Sequence, residues 1–184
     1  LRQANVESML DIGCGHGGYL RKLQALEPSW ELTGIDLEEE VIEEARSRDE
    51  SGDIHFEVAD FMNWETEEQF DAVMMNNMLY YFSPEERVKL LERLRERLEE
   101  KGVAVLVTPL AETALGGRFA SAFNAFMTLH DNLYPLPTIP QLRRQMQEVG
   151  FEQIRFIPFI PEGSWYIVIA ERGKTNLLNQ PIQN

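Results

Sequence analysis

Three aspartates, Asp11, Asp36 and Asp60, each close a short apolar run, and the first is followed by a cluster of glycines, Gly13, Gly15, Gly17 and Gly18. An ionised carboxylate at a strand tip can accept from two vicinal hydroxyls at once, which suits the second of these acids to a ribose, with helix capping as its other role. Glycines after a strand let the backbone enter positive φ, and a missing Cβ lets the main chain approach a ligand. The cluster satisfies two patterns. Gly13, Gly15 and Gly18 fit the dinucleotide fingerprint G-x-G-x-x-G, while Asp11, Gly13, Gly15 and Gly17 fit acid-x-G-x-G-x-G. An acid two residues before the first glycine would oppose a pyrophosphate seated on this turn. Asp11 instead favours a ligand that carries positive centres.

Acids at such positions need strands to end beneath them. Met9 to Ile12 reads as a buried strand, and Tyr19, Leu20, Leu23 and Leu26 recur at helical spacing until Pro28. Residues 31–37 form a second strand ending near Asp36, and 38–48 a helix with Glu38, Glu39 and Glu40 in its first turn and Arg46 and Arg48 in its last. Residues 54–61 give a third strand and 70–78 a fourth, which releases Asn76 and Asn77 at its far end. Ser83-Pro84-Glu85-Glu86 is a capping box for a helix whose stripe of Val88, Leu91, Leu94 and Leu98 runs towards Gly102. Residues 103–108 read as a strand covered on both faces. After the irregular stretch 110–137, Thr138 caps a further helix, and 153–160 and 165–172 read as a hairpin at the sheet edge, joined through Pro161-Glu162-Gly163. The polar residues 173–184 form a tail outside the core.

S-adenosylmethionine has the required chemistry, a sulfonium and an ammonium with no phosphate, and Leu10 to Gly17 resembles the first motif of the class I, Rossmann-like S-adenosylmethionine-dependent methyltransferases. The resemblance runs from Leu10 to Arg172. It implies a seven-stranded, mostly parallel α/β sheet with helices on both faces and a C-terminal antiparallel hairpin, a single domain over 1–172. It also implies a cofactor site of Asp11, Gly13, Gly15, Gly17, Asp36, Leu37, Asp60, Phe61 and Asn76, with Asp60 and the Phe61 N–H reading the adenine edge. Tyr80, Tyr81, Phe123, Phe126 and Tyr134 are the candidates for an acceptor pocket. His130, whose ordinary pKa suits proton transfer near neutrality, is the candidate base if the acceptor must lose a proton. The phenylalanines have a plainer alternative as one face of an amphipathic helix packed on the sheet. No metal ligand set is expected. Where amino methyltransferases acting on nucleobases or glutamine carry N/D-P-P-Y/F, this chain has Asn76-Asn77-Met78-Leu79-Tyr80. The expected reaction is methyl transfer to an oxygen, nitrogen or carbon of a small molecule. An NAD(P)-dependent oxidoreductase would share the glycine turn and Asp36 but leave Asp11, Asp60 and the terminal hairpin unused, and a non-catalytic cofactor-binding module would keep all three acids.

Composition narrows the partners. Seventeen Lys+Arg against 31 Asp+Glu give a formal net charge of -14 over 184 residues, which would repel a nucleic-acid backbone. The single cysteine, Cys14, suits a reducing cytoplasm, and no apolar run approaches the length of a membrane span. Only a few residues precede the first strand, where the family has one or two helices that help close the pocket. The chain is therefore expected to lack an N-terminal lid helix and to belong to a longer protein, with a carrier-protein or multidomain context.

Overall fold

The computed structural model describes residues 6–111, 117–127, 129–159 and 164–173. Five parallel strands come first: β1 (Ser8–Ile12), β2 (Glu31–Asp36), β3 (His55–Val58), β4 (Phe70–Asn76) and β5 (Leu98–Pro109). They are followed by β6 (Phe151–Pro158) and β7 (Trp165–Arg172), and the sheet order is β3-β2-β1-β4-β5-β7-β6. The last strand inserts between β5 and β6, antiparallel to both. The chain thus steps outward from β1 through β2 to β3 and then returns to the other side of β1 with β4. That reversal opens a crevice at the carboxyl ends of β1 and β4, where ligands bind in such sheets.

Helices α1 (Gly18–Leu26), α2 (Glu39–Ser47), α3 (Pro84–Glu96), α4 (Gly117–Met127) and α5 (Ile139–Glu148) connect the strands. The alternation of strand side chains shows which faces are covered. Met9, Leu32 and Met74 pack in one cluster with Leu20 of α1 and Ile42 of α2, while Leu10, Ile12, Ile35, Val73 and Met75 pack in another with Leu90, Leu91 and Leu94 of α3 and Leu142 and Met146 of α5. Both faces of the sheet are therefore buried under helices. Helix α3 starts where the sequence predicts, with Ser83 Oγ accepting from Glu86 N–H (3.2 Å) and Ser83 N–H donating to the Glu86 carboxylate (2.9 Å). Thr138 and Gln141 form the same box for α5.

Several boundaries differ from those read in the sequence. Helix α3 stops at Glu96 rather than near Gly102, because Leu98 pairs with Phe70 as the first residue of β5 and is wholly buried there. Its buried stripe is Arg87, Leu90, Leu91 and Leu94, so an arginine occupies a core position. Strand β3 ends at Val58 because the chain turns at Asp60, whose carboxylate accepts from Met62 N–H (3.0 Å). Strand β6 begins at Phe151, two residues before the predicted start, and Gln153 takes a positive φ of 52° where the pairing with β7 shifts register. Residues 161–163 and 174–184 lie outside the described residues.

Candidate active site

The glycine turn is suspended from the end of β2. Gly13 and Cys14 N–H both donate to Ile35 O (2.9 and 3.0 Å), and Gly15 N–H donates to Asp36 Oδ2 (2.9 Å). Gly13, Gly15 and Gly17 all have positive φ, between 54° and 68°. Their missing side chains serve different ends. A Cβ on Gly15 would meet no atom within 4 Å, so this part of the turn faces open space. On Gly13 it would come within 2.7 Å of Met78 Sδ, and on Gly17 within 2.5 Å of the Phe56 ring. Gly17 also leaves room for the Phe56 ring and starts α1 as its N-cap residue.

Beyond the turn lies a cavity of about 530 Å³, built on the tips of β1 to β4. It brings together Gly13, Asp36, Leu37, Asp60, Phe61, Asn76, Tyr80 and Tyr81 from the sequence candidates, along with Ile12, Glu38, Asn77, Met78 and Phe82, which sequence reasoning did not single out. Adjacency to a strand tip was the signal for those additions. Asp36 receives a second hydrogen bond, from Glu38 N–H to Oδ1 (3.2 Å), so both carboxylate oxygens are fixed by backbone while the group still faces the cavity. The N-cap of α2 is Glu38 rather than Asp36. Asp60 is held in its turn by Met62 N–H and by the Asn63 side chain (2.6 Å).

Asp11 is placed differently from the expectation. Its side chain is wholly buried and does not line the cavity, and neither carboxylate oxygen has a hydrogen-bond partner. Burial, and then the nearby charge of Asp36, push its pKa up from 3.8 to about 8. The Cys14 thiol is likewise pushed up to about 12, first by burial and then by the two aspartates, which makes it core filler rather than a nucleophile.

The wall on the β4 side is a short 3-10 turn, Leu79–Tyr81. Tyr80 lies 4.8 Å from the Tyr81 ring and meets Phe123 of α4 edge-on at 5.8 Å, and its carbonyl accepts from Tyr134 N–H (2.8 Å). Burial, then Tyr81, hold the Tyr80 phenol up to about 12, so it stays a proton donor at neutral pH. Phe123 and Tyr134 thus support the wall from behind. Phe126 and His130 are exposed outside the cavity, their rings 4.5 Å apart, with His130 Nδ1 3.0 Å from Phe126 O. The structure does not bring His130 to the site, because α4 ends at Met127 and the chain turns away at its exposed end.

Two arginines of α3 hold the loops that frame the cavity. Arg93 Nε donates to Phe61 O (3.0 Å) and its Nη2 to Trp64 O (2.7 Å), which fixes the segment after Asp60. Arg87, only 3% exposed, donates from Nε to Leu79 O (2.9 Å) and from Nη2 to Pro135 O. An arginine in a helix reads as surface by type. Its position four residues before Leu91 was the signal available for Arg87.

Among the described residues, the cavity lining holds three carboxylates and no Lys, Arg or His. Buried acceptors without partners lie at Asn76 Oδ1 and Asn77 Oδ1. Such a site fits a ligand with vicinal hydroxyls and positive charge.

Comparison with known proteins agrees with that chemistry. Residues 9–102 match the family model described as a methyltransferase domain. A trans-aconitate 2-methyltransferase of Shigella flexneri serotype 5b is 33% identical over 105 residues, 57% of this chain and 40% of that protein. A demethylmenaquinone methyltransferase of Thermotoga maritima is 28% identical over 169 residues, covering 82% of this chain and 72% of the relative. The crystal structure of human N-acetylserotonin methyltransferase in complex with SAM superposes with a TM-score of 0.77 at 18% identity, over 95% of this chain and 50% of the human one. The chain spans well under two thirds of the first and the third of these proteins.

Proposed function

The chain belongs to the methyltransferase domain family, and from that premise we propose that it moves a methyl group from S-adenosylmethionine to an oxygen, nitrogen or carbon of a small molecule, as one domain over residues 1–172. The observation that carries this reading is the cavity shared by Asp36, Asp60 and Gly13 at the start of the glycine turn, which holds three carboxylates and no cation among the described lining residues. Asp36 accepts from the ribose hydroxyls, while Asp60 and Phe61 meet the adenine edge. Asn76, at the tip of β4, lies on the cavity wall towards the amino-acid end of the cofactor. The bound cofactor supplies a methyl group already activated on a sulfonium. The protein's part is therefore to bind, align and exclude water, with Ile12, Met78, Tyr80 and Tyr81 as the apolar walls.

The family premise decides between the two cofactor chemistries that share such a glycine turn. The acidic composition supports a small-molecule acceptor over nucleic acid, and the one buried cysteine supports a cytoplasmic setting. No helix among the described residues is long and apolar enough to cross a membrane.

Calorimetric titration with S-adenosylhomocysteine tests the reading: saturable binding is expected, and its absence in folded protein overturns it. In the same assay Asp36→Ala loses a charge-assisted acceptor worth about 1.5–3 kcal/mol, a drop in affinity of roughly tenfold to a hundredfold. Unchanged affinity would leave Asp36 as a backbone tie for the Gly15 N–H. Gly15→Val fills the open space above the turn and forces a β-branched residue into positive φ. Its expected outcome is loss of binding, and native affinity in a folded variant would show that the ligand passes elsewhere.

A further inference from the structure

Resting on the cofactor reading above, we propose that Arg93 of α3 is a positioning residue for base recognition: from outside the cavity it sets the Asp60 carboxylate in the direction that selects a 6-amino purine over a 6-oxo purine. Asp60 is exposed just past the end of β3, in a turn that Asn63 N–H closes by donating to Asp60 O (2.9 Å). Its carboxylate is held from within the same turn, Oδ1 accepting from Met62 N–H (3.0 Å) and Oδ2 from the Asn63 side-chain amide (2.6 Å). The aim of the carboxylate therefore depends on where residues 62 and 63 lie.

Arg93 grips the carbonyls on either side of that pair. Its Nε donates to Phe61 O (3.0 Å) and its Nη2 to Trp64 O (2.7 Å), while its guanidinium carbon sits 5.9 Å from the centre of the Phe61 ring. The first of these bonds lands on the very peptide whose N–H, that of Met62, donates to Asp60. One peptide thus joins a cation to a carboxylate, and each charged end strengthens the bond at the other. The helix is a firm anchor, since Leu90, Leu91 and Leu94 are wholly buried and pack in the same cluster as Phe61. Arg93 does not line the cavity, so it acts through the turn and not on a ligand.

Adenine presents an amino donor beside a ring acceptor, which matches a carboxylate set next to a main-chain N–H. A 6-oxo purine reverses both groups, turning an oxygen towards Asp60 and an N–H towards the Phe61 N–H. A site whose polar groups are fixed rejects such an analogue because those groups are left unpaired, whereas a carboxylate free to rotate turns to solvent and rejects it weakly. Selectivity for the base, more than affinity for the nucleoside, is what the clamp supplies.

The test is calorimetric titration of the protein with S-adenosylhomocysteine and with its 6-oxo analogue, S-inosylhomocysteine. Wild-type protein is expected to prefer the adenine form by at least about tenfold. Arg93→Met, which keeps the apolar stem, should reduce that preference to within about threefold, with most of the change falling on S-adenosylhomocysteine. Arg93→Lys, whose ammonium cannot span two carbonyls with a planar fork, should lower it by at least about threefold and decides the matter by the same ratio if the methionine variant does not fold. Arg97→Met is the control, because Arg97 donates to Thr66 O farther along the same segment and leaves the 61–62 peptide untouched. Its preference should stay within about twofold of the wild type. A purely structural role would weaken both ligands in equal proportion. Equal losses for the two ligands in the folded Arg93 variants, a preference that survives there, its collapse in Arg97→Met, or a wild-type preference below about tenfold overturns the proposal. Failure of the wild type to bind S-adenosylhomocysteine overturns the cofactor reading instead.

Discussion

Replacing Asp11 with Asn stabilises the unliganded protein, and the gain grows as pH rises from about 4 to about 8. Asp11 sits beneath the glycine turn with no hydrogen-bond partner for either oxygen, and its pKa is raised from 3.8 to about 8 by burial and by Asp36. Between those values the folded protein holds a proton that the unfolded chain has released. Stability therefore falls with rising pH across the window, at up to about 1.4 kcal/mol for each unit. Below about pH 4 both states are protonated and the effect vanishes. Over the full window the penalty is on the order of 5 kcal/mol, a large part of the stability of an ordinary domain. An asparagine cannot ionise, so its stability has no such slope. Urea unfolding of both proteins at pH 5 and pH 8 checks this, and parallel pH slopes would show that Asp11 titrates normally.

The second large effect is at Arg87. Its guanidinium is buried and donates to Leu79 O and Pro135 O, joining the wall that carries Tyr80 to the segment that precedes α5. Arg87→Met preserves the apolar stem and strands two carbonyl oxygens, with an expected loss of about 3 kcal/mol. Arg87→Lys should recover little of this, because an ammonium cannot span two acceptors with a planar fork. Denaturant midpoints measure the loss. Amide exchange at Tyr134, whose N–H donates to Tyr80 O, should quicken if the wall has come free. A lysine variant as stable as the wild type would mean that the two bonds contribute only charge.

Residue type alone revealed some of these features and concealed others. The glycine turn and the acids at the ends of β2 and β3 were legible because few residue types tolerate a left-handed backbone or offer two acceptor oxygens at a tip. The strand segments followed from apolar runs and alternation, while the coverage of the sheet on both faces was implied by the family resemblance. Helix α3 was legible in its cap and not in its end, because Leu98 suits a buried strand as well as a helical stripe. Arg87 was hidden, since nothing in an arginine's type distinguishes a surface charge from a buried clasp. His130 attracted notice for its titration range, which carries no information about where the chain puts it, and the structure puts it at the exposed end of α4. Gly17 shows the converse. Its place in the motif was clear, while the Phe56 ring that accounts for it comes from β3 and is distant in sequence.

Helix α3 touches both halves of the cavity, through Arg87 to the aromatic wall and through Arg93 to the loop after Asp60. The two arginines are six positions apart, a rise of about 9 Å along a helix at 1.5 Å per residue. The helix acts as a ruler. The spacing between the two sides of the site is thereby set by a backbone hydrogen-bond ladder, and a single residue inserted between the arginines would swing one clasp about 100° around the axis and away from its carbonyls. The segments that shape each side can drift in sequence independently, while the distance between the two sides stays tied to the pitch of one helix.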